Sequence, residues 1–263
     1  MRLGIVGVGG MGSWLARLAL SKGIEVHGYD KDPERTRGIK GLNPAASLEE
    51  LLVRVDIILV ATPPATTPAV LGHLRMAATR SGWSGGIADI STFKKHVIPI
   101  LQGYPASISV ASLHPLFGPR ARRLEAHKVL VVPVPGRENN ISTFTRLLDT
   151  LGLRWETIDH EAHDRLMGLV IGVPYAIGHA LARAAGDLLE KAHMVSGTTF
   201  KALYLLLATL GDPEDLVNYI LGDPDTRAWI QALAQELGSR APRKDTSLYE
   251  DLYCLVEECL TRG

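Results

Sequence analysis

Residues Leu3 to Gly12 read L-G-I-V-G-V-G-G-M-G, a short apolar run ending in Gly7-x-Gly9-x-x-Gly12, with an amphipathic stretch directly after it. No other feature constrains the fold as tightly, because this order is the strand, turn and helix start of a dinucleotide-binding βαβ unit. Gly7 allows the tight bend, Gly9 lets the backbone approach a pyrophosphate, and Gly12 lets the helix pack close to the strand. The turn and helix start, through Val8, Gly10 and Met11, then offer free N–H groups and a positive dipole end to phosphates. Asp30 ends the second apolar run, about 20 residues beyond the turn, where an acid accepts hydrogen bonds from ribose hydroxyls and repels a 2′-phosphate. The spacing predicts NAD as cofactor, while Lys31 and Arg35 leave NADP open.

The first half alternates short apolar runs with helical stretches. Strands are expected over 3–8, 25–30, 56–61, 86–90, 108–113, 129–132 and 154–158, with helices over 11–21, 48–53, 67–78, 93–101 and 140–151. Such near-continuous apolar strands predict a doubly wound, mostly parallel α/β sheet covered on both faces. After about residue 158 the periodicity becomes helical throughout, over 161–192, 197–210, 213–221, 226–237 and 247–260. The chain is therefore expected to divide into a dinucleotide-binding domain, 1–158, and an all-helical domain, 159–263.

With 263 residues, 46% apolar and 21% charged, the chain has material for two cores. Its formal net charge of zero gives no bulk electrostatic reason to bind nucleic acid or a membrane surface. Cys254 and Cys259 fall roughly 140° apart on a helix, which disfavours a disulfide or shared metal and fits a reducing cytoplasm. No metal site is expected. Neither a signal peptide nor an uninterrupted apolar run of membrane-spanning length is read; the most apolar segment, 203–210, is short.

Three further strand ends carry polar chemistry. Ala61-Thr62-Pro63-Pro64 offers the Thr62 hydroxyl to the ligand crevice, with Pro63 stiffening the loop. Asp89-Ile90-Ser91-Thr92-Phe93-Lys94 and Ser112-Leu113-His114-Pro115-Leu116-Phe117-Gly118-Pro119-Arg120 open toward the nicotinamide end of that crevice. A neutral His114 imidazole is suited to accept a hydroxyl proton while hydride leaves the adjacent carbon. Ser91 is expected to fix the imidazole tautomer, and Lys94 to offer a charge to an anionic ligand.

The run from Ser112 to Pro119 resembles the H-P-M/L-F-G-P signature of prephenate and arogenate dehydrogenases. Asp89 to Lys94 resembles their D-x-x-S-x-K segment, and His163-Asp164-Arg165 resembles the H-D-R that opens their helical dimerisation domain. The resemblance implies oxidative decarboxylation of a cyclohexadienyl acid in tyrosine biosynthesis, with His114 as base, and a cytoplasmic homodimer joined through the helical half. It fails at two places. The family's S-H-L-P-H, whose second histidine meets the substrate, falls on Ile171-Gly172-Val173-Pro174-Tyr175. The arginine of F-K/R-D-T-T-R, which grips the side-chain carboxylate, falls on Leu205. Arg120, directly after the catalytic loop, is the first-choice replacement cation, with Arg122, Arg123 and Lys201, and behind them His160, His163 and His179, as further candidates, and Tyr175 as a substrate contact; His163 and Arg165 are otherwise read as domain-linking residues. Two alternatives stay open: another dehydrogenase or imine reductase of the same two-domain plan, and a non-catalytic dinucleotide-responsive regulator.

Overall fold

The structure, a computed structural model, describes residues 1–238. The helix expected over 247–260, the apolar stretch 252–256 and both cysteines lie outside the described residues. By its contacts the chain falls into two compact units, Met1–Asp164 and Arg165 onward.

The first unit is built on eight strands: β1 (Arg2–Val6), β2 (Glu25–Tyr29), β3 (Asn43–Pro44), β4 (Ile57–Val60), β5 (Gly86–Asp89), β6 (Ser109–Pro115), β7 (Lys128–Pro133) and β8 (Arg154–Thr157). They form one sheet in the order β3-β2-β1-β4-β5-β6-β7-β8, and every pairing is parallel except β6 with β7. The expected doubly wound α/β plan is therefore present, with one antiparallel strand pair added. The order reverses between β1 and β4, and ligands of such sheets bind in the crevice outside the strand C-termini at that point. Asp89 pairs with Ser112 in register, which brings the ends of β5 and β6 side by side at the same rim.

The short helices α2 (Pro33–Arg37) and α5 (Ile98–Gln102) lie in connections between strands. Alternation along each strand feeds two cores. Leu3, Ile5, Ile57 and Leu59 face one side, packed with α1 (Gly10–Ser21) and α6 (Ile141–Leu151). Val6, Ile58 and Val60 face the other, with α3 (Leu48–Arg54) and α4 (Thr67–Ser81). Both faces are dry, which is why the strands read as unbroken apolar runs. Local signals set the helix ends. Ser47 Oγ accepts from the Glu50 N–H at 3.1 Å, and Gly82 (φ +67°) closes α4 in the left-handed conformation that glycine adopts without strain.

A helix starting at His160 carries the chain into the second unit, running through a π-helical turn, Gly168–Gly172, to Ala185. Asp159 caps it, its Oδ1 accepting from the N–H groups of Glu161 and Ala162. The change of unit at Asp164 falls beyond the position expected from periodicity, because His163 and Asp164 bond back into the first unit. Inside the second unit, Gly168 and Gly172 allow a close helix crossing: a Cβ on Gly172 would lie 2.4 Å from Thr226 Oγ1. No strand follows Thr157 among the described residues.

One expectation needs correction. The run His160–Ala185 is long and apolar enough, by length and composition, to cross a membrane, with a window of mean hydropathy 1.4. Counting uninterrupted apolar residues overlooked it because Gly168, Gly172, Pro174, Tyr175 and His179 break the run. Its first turns are tied to the α/β unit through His163 and Asp164.

Candidate active site

The glycine turn has the geometry its sequence implies. Gly7 sits at φ +88°, and its N–H donates to the Tyr29 carbonyl at 2.8 Å. A Cβ on Gly12 would lie 1.8 Å from the Gly7 carbonyl oxygen, so only glycine lets α1 start this close to β1. At Gly9 the nearest atom to a Cβ would be Arg35 Nη1, at 3.6 Å. The first backbone bond of the helix runs from Ser13 N–H to the Gly9 carbonyl at 2.9 Å. The amides of Gly10, Met11 and Gly12 therefore precede the helix's own acceptors and point out of its end.

Asp30 stands at the end of β2 and binds this turn directly. Its Oδ2 accepts from the Val8 N–H at 2.7 Å, and its Oδ1 from the Asp32 N–H at 2.9 Å. The Val8 amide, expected to serve the cofactor, thus serves first to fix the carboxylate. Arg35 lies 4.0 Å from Asp30 and 3.6 Å from Asp32, held between two negative charges. After β4, the Thr62 hydroxyl bonds the Thr67 hydroxyl at 2.9 Å. Thr67 also donates to the carbonyls of Thr62 and Pro63, so this turn is fixed on the first residue of α4.

The ends of β5 and β6 meet the start of the 160–185 helix. His114 is buried, and its Nδ1 lies 3.0 Å from Nε2 of His163; Nδ1 of His163 lies 2.8 Å from Asp164 Oδ1. The carboxylate only accepts, so the proton order follows. His163 carries its proton on Nδ1 and accepts on Nε2. His114 then carries its proton on Nδ1, and its Nε2 holds a free lone pair. Burial, then the nearby Lys94 charge, then His163, push the His114 pKa well below its ordinary value. Burial also lowers His163, outweighing the opposing bond to Asp164. For Asp164, hydrogen bonds from His163 and from the amides of Lys94 and Lys95 outweigh burial and lower its pKa. The result is a neutral, oriented base, not an imidazolium.

Two expectations change here. The tautomer of His114 is set by His163 rather than by Ser91, whose buried Oγ has no hydrogen-bond partner among the described residues. Lys94 does not reach outward to a ligand. It is fully buried, its ammonium donating to the carbonyls of Ser91 and Leu113 (2.7 Å to the latter) and lying 3.9 Å from Asp89. His163 and Asp164 were visible in the sequence as an adjacent His-Asp pair, but their partners lie 49 and 70 positions away.

The loop after His114 lies against α1. Pro119 would meet a Cβ on Gly10 at 3.1 Å, the Ala121 carbonyl accepts from Trp14 Nε1 at 3.1 Å, and Phe117 packs on Trp14. Arg120, exposed, is thereby held beside the start of the phosphate-facing helix. In the second unit, Tyr175 is half-buried and donates to Asp212; burial and that carboxylate raise its pKa. Lys201 lies exposed on the helix Thr198–Tyr204, and Leu205 directly follows it. Among the described residues no group of three or more His, Cys, Asp or Glu is placed to hold a metal.

The family model described as D-isomer specific 2-hydroxyacid dehydrogenase, NAD binding domain, matches residues 1–82. A curated relative, a probable arogenate/prephenate dehydrogenase of Methanocaldococcus jannaschii, is 26% identical over 203 residues. That alignment covers 73% of this chain but 45% of the relative, so the chain spans about half the length of the protein it matches. The prephenate dehydrogenase from A. aeolicus, solved with hydroxyphenyl propionate and NAD+, superposes at a TM-score of 0.70 with 18% identity, covering 100% of this chain and 94% of that one. An imine reductase from Pseudomonas sp. superposes at 0.59 with 18% identity, over 99% and 86% of the two chains. In fold, and in the motif at His114, this chain is similar to the prephenate and arogenate dehydrogenases.

Proposed function

We propose that this protein is an NAD-dependent dehydrogenase that oxidatively decarboxylates prephenate or arogenate. The carrying observation is the Asp164–His163–His114 chain, which leaves a neutral imidazole with a free Nε2 at the sheet rim. His114 Nε2 takes the proton of the ring hydroxyl, and the partial charge on the imidazolium is shared through His163 toward Asp164. The hydride leaves the same carbon, the ring carboxylate departs as carbon dioxide, and aromatisation makes the step irreversible. NAD+ bound in the crevice supplies the hydride acceptor. The turn fits that group: the amides of Gly10 to Gly12 face out of the helix end, Asp30 is fixed for a ribose, and the unpaired Ser91 hydroxyl awaits a polar ligand. Burial of the pair keeps His114 unprotonated where a solvated histidine would be half charged.

Arg120 and Lys201 are proposed to supply charge for the substrate carboxylates, with Tyr175 as a polar contact. Homodimerisation through the helical half and a cytoplasmic setting belong to the same reading. Leu205 and Tyr175, standing where the family pattern has a cation and a histidine, favour a second reading: the same chemistry on a different hydroxy acid. One assay separates them. Reduced nicotinamide is followed at 340 nm with prephenate, arogenate and a panel of hydroxy acids, using NAD+ and then NADP+. Turnover with either cyclohexadiene, faster with NAD+, is expected. Turnover confined to another acid establishes the second reading, and cofactor binding without turnover on any acid leaves a regulator. His114→Asn is expected to bind NAD+ as before and to lose about 10²–10⁴ in kcat.

A further inference from the structure

Lys94 is an expensive residue for its position. It has no solvent exposure, and a charge buried that deeply is unfavourable unless polar groups are arranged around it. A methionine would fill similar volume without that penalty. What it contacts distinguishes it from packing. Its ammonium bonds the carbonyl of Ser91 in the loop after β5 and that of Leu113, the residue before His114, on β6. Its backbone N–H donates to both oxygens of Asp164, at 2.8 and 2.9 Å. One residue thus touches the strand end bearing Ser91, the strand end bearing His114, and the terminal acid of the relay.

We propose that Lys94 is a positioning residue for the base: it staples the two strand ends together, and its buried positive charge adds to burial in disfavouring an imidazolium at the His114–His163 pair. The proposal rests on the reading of His114 as base. The charges bearing on His114 within the first unit are few. Lys94 comes from the loop after β5, and His163 and Asp164 from the helix that starts at His160. Asp89, at the end of β5, lies 3.9 Å from the ammonium and accepts from Ser112 and from the Ser91 N–H. Strand β7, paired with β6, presents Leu130 opposite His114. Lys95 places its ammonium over the Phe93 ring, 5.4 Å from the centroid. Within this set the Lys94 charge opposes an imidazolium, and Asp89 and Asp164 favour the charged form of Lys94 against the burial that lowers its pKa.

The test reads the imidazole directly. In the full-length protein without cofactor, ¹⁵N NMR of the histidine rings gives the tautomer and titration midpoint of His114. The wild type is expected to keep Nε2 unprotonated well below the ordinary histidine range. Lys94→Met is expected to raise the midpoint by about one unit or more, since a neighbouring charge commonly shifts a pKa by that much. The acidic limb of kcat/KM should move by the same amount. Near-native circular dichroism with an unmoved midpoint would overturn the proposal, reducing Lys94 to a packing residue. Should the variant not fold, the Lys94 ¹⁵Nζ signal of the wild type decides: an ammonium at neutral pH supports the proposal, a neutral amine overturns it. A shifted His114 in a protein that turns over neither cyclohexadiene would uphold Lys94 and discard the proposed substrate.

Discussion

His163 changes what His114 can be. A lone imidazole samples either tautomer and ionises near 6.5, whereas His114, bonded to His163 and Asp164, has one tautomer and a lowered pKa. The same arrangement makes stability depend on pH. Both imidazoles are neutral in the fold below the pH at which they would protonate in the unfolded chain. Their contribution is complete above about 6.5, and it is lost as pH falls from there toward the folded values, because the unfolded chain binds protons the folded one refuses. Each group contributes a slope of at most about 1.4 kcal/mol per pH unit, so about 2.7 is the ceiling for the pair. Urea unfolding of the wild type between pH 7 and 5.5 should show stability falling with pH, no more steeply than that. In His114→Asn the slope should be shallower. A wild-type unfolding free energy that stays flat across this interval would mean that the two rings protonate freely in the fold.

At the scale of elements, two glycines on helices have opposite roles, and the contrast is measurable. Gly12 lies where α1 meets β1, and an added methyl would collide with the Gly7 carbonyl. Gly12→Ala is expected to force the helix off the strand, lower stability by about 1–3 kcal/mol and abolish NAD+ binding. Gly72, inside α4, has nothing within 4 Å of a Cβ. Gly72→Ala should raise stability by up to about 1 kcal/mol through helix propensity alone, in the same denaturation experiment. Elements of the first kind were legible in the sequence, because the glycine spacing and the apolar strands are local patterns. The antiparallel course of β7 was not, since a strand buried on both faces reads the same in either direction. Nor was β3, two residues long and exposed, with no apolar signal at all. The candidate site divides likewise. His114 and Ser91 stand at strand ends that the pattern located. The burial of Lys94 depends on carbonyls of Ser91 and Leu113, and backbone carbonyls leave no mark in a sequence.

Across the whole molecule, exposed apolar side chains are unevenly spread among the described residues. Val53, Met76 and a few others lie on the longer first unit, while Leu166, Val170, Leu188, Met194 and Val195 lie on the second, Val170 at 54% and Val195 at 87% exposure. The helix His160–Ala185 contributes the apolar window of mean hydropathy 1.4, of which 22% is buried within one chain. Exposed apolar side chains that share a face form a surface that is normally covered by a partner. A second copy is the economical cover: a two-fold interface needs only a patch that complements itself, and a chain of zero net charge has no long-range repulsion to overcome. Sedimentation equilibrium at micromolar concentration should therefore give twice the mass of one chain. Val170→Asp places a charge on the helix where the apolar side chain is exposed, and it should shift the protein toward monomer while NAD+ binding at the glycine turn persists. A wild type that sediments as a monomer would leave this surface to some other partner. A dimer untouched by Val170→Asp would move the interface to another face of the helical half.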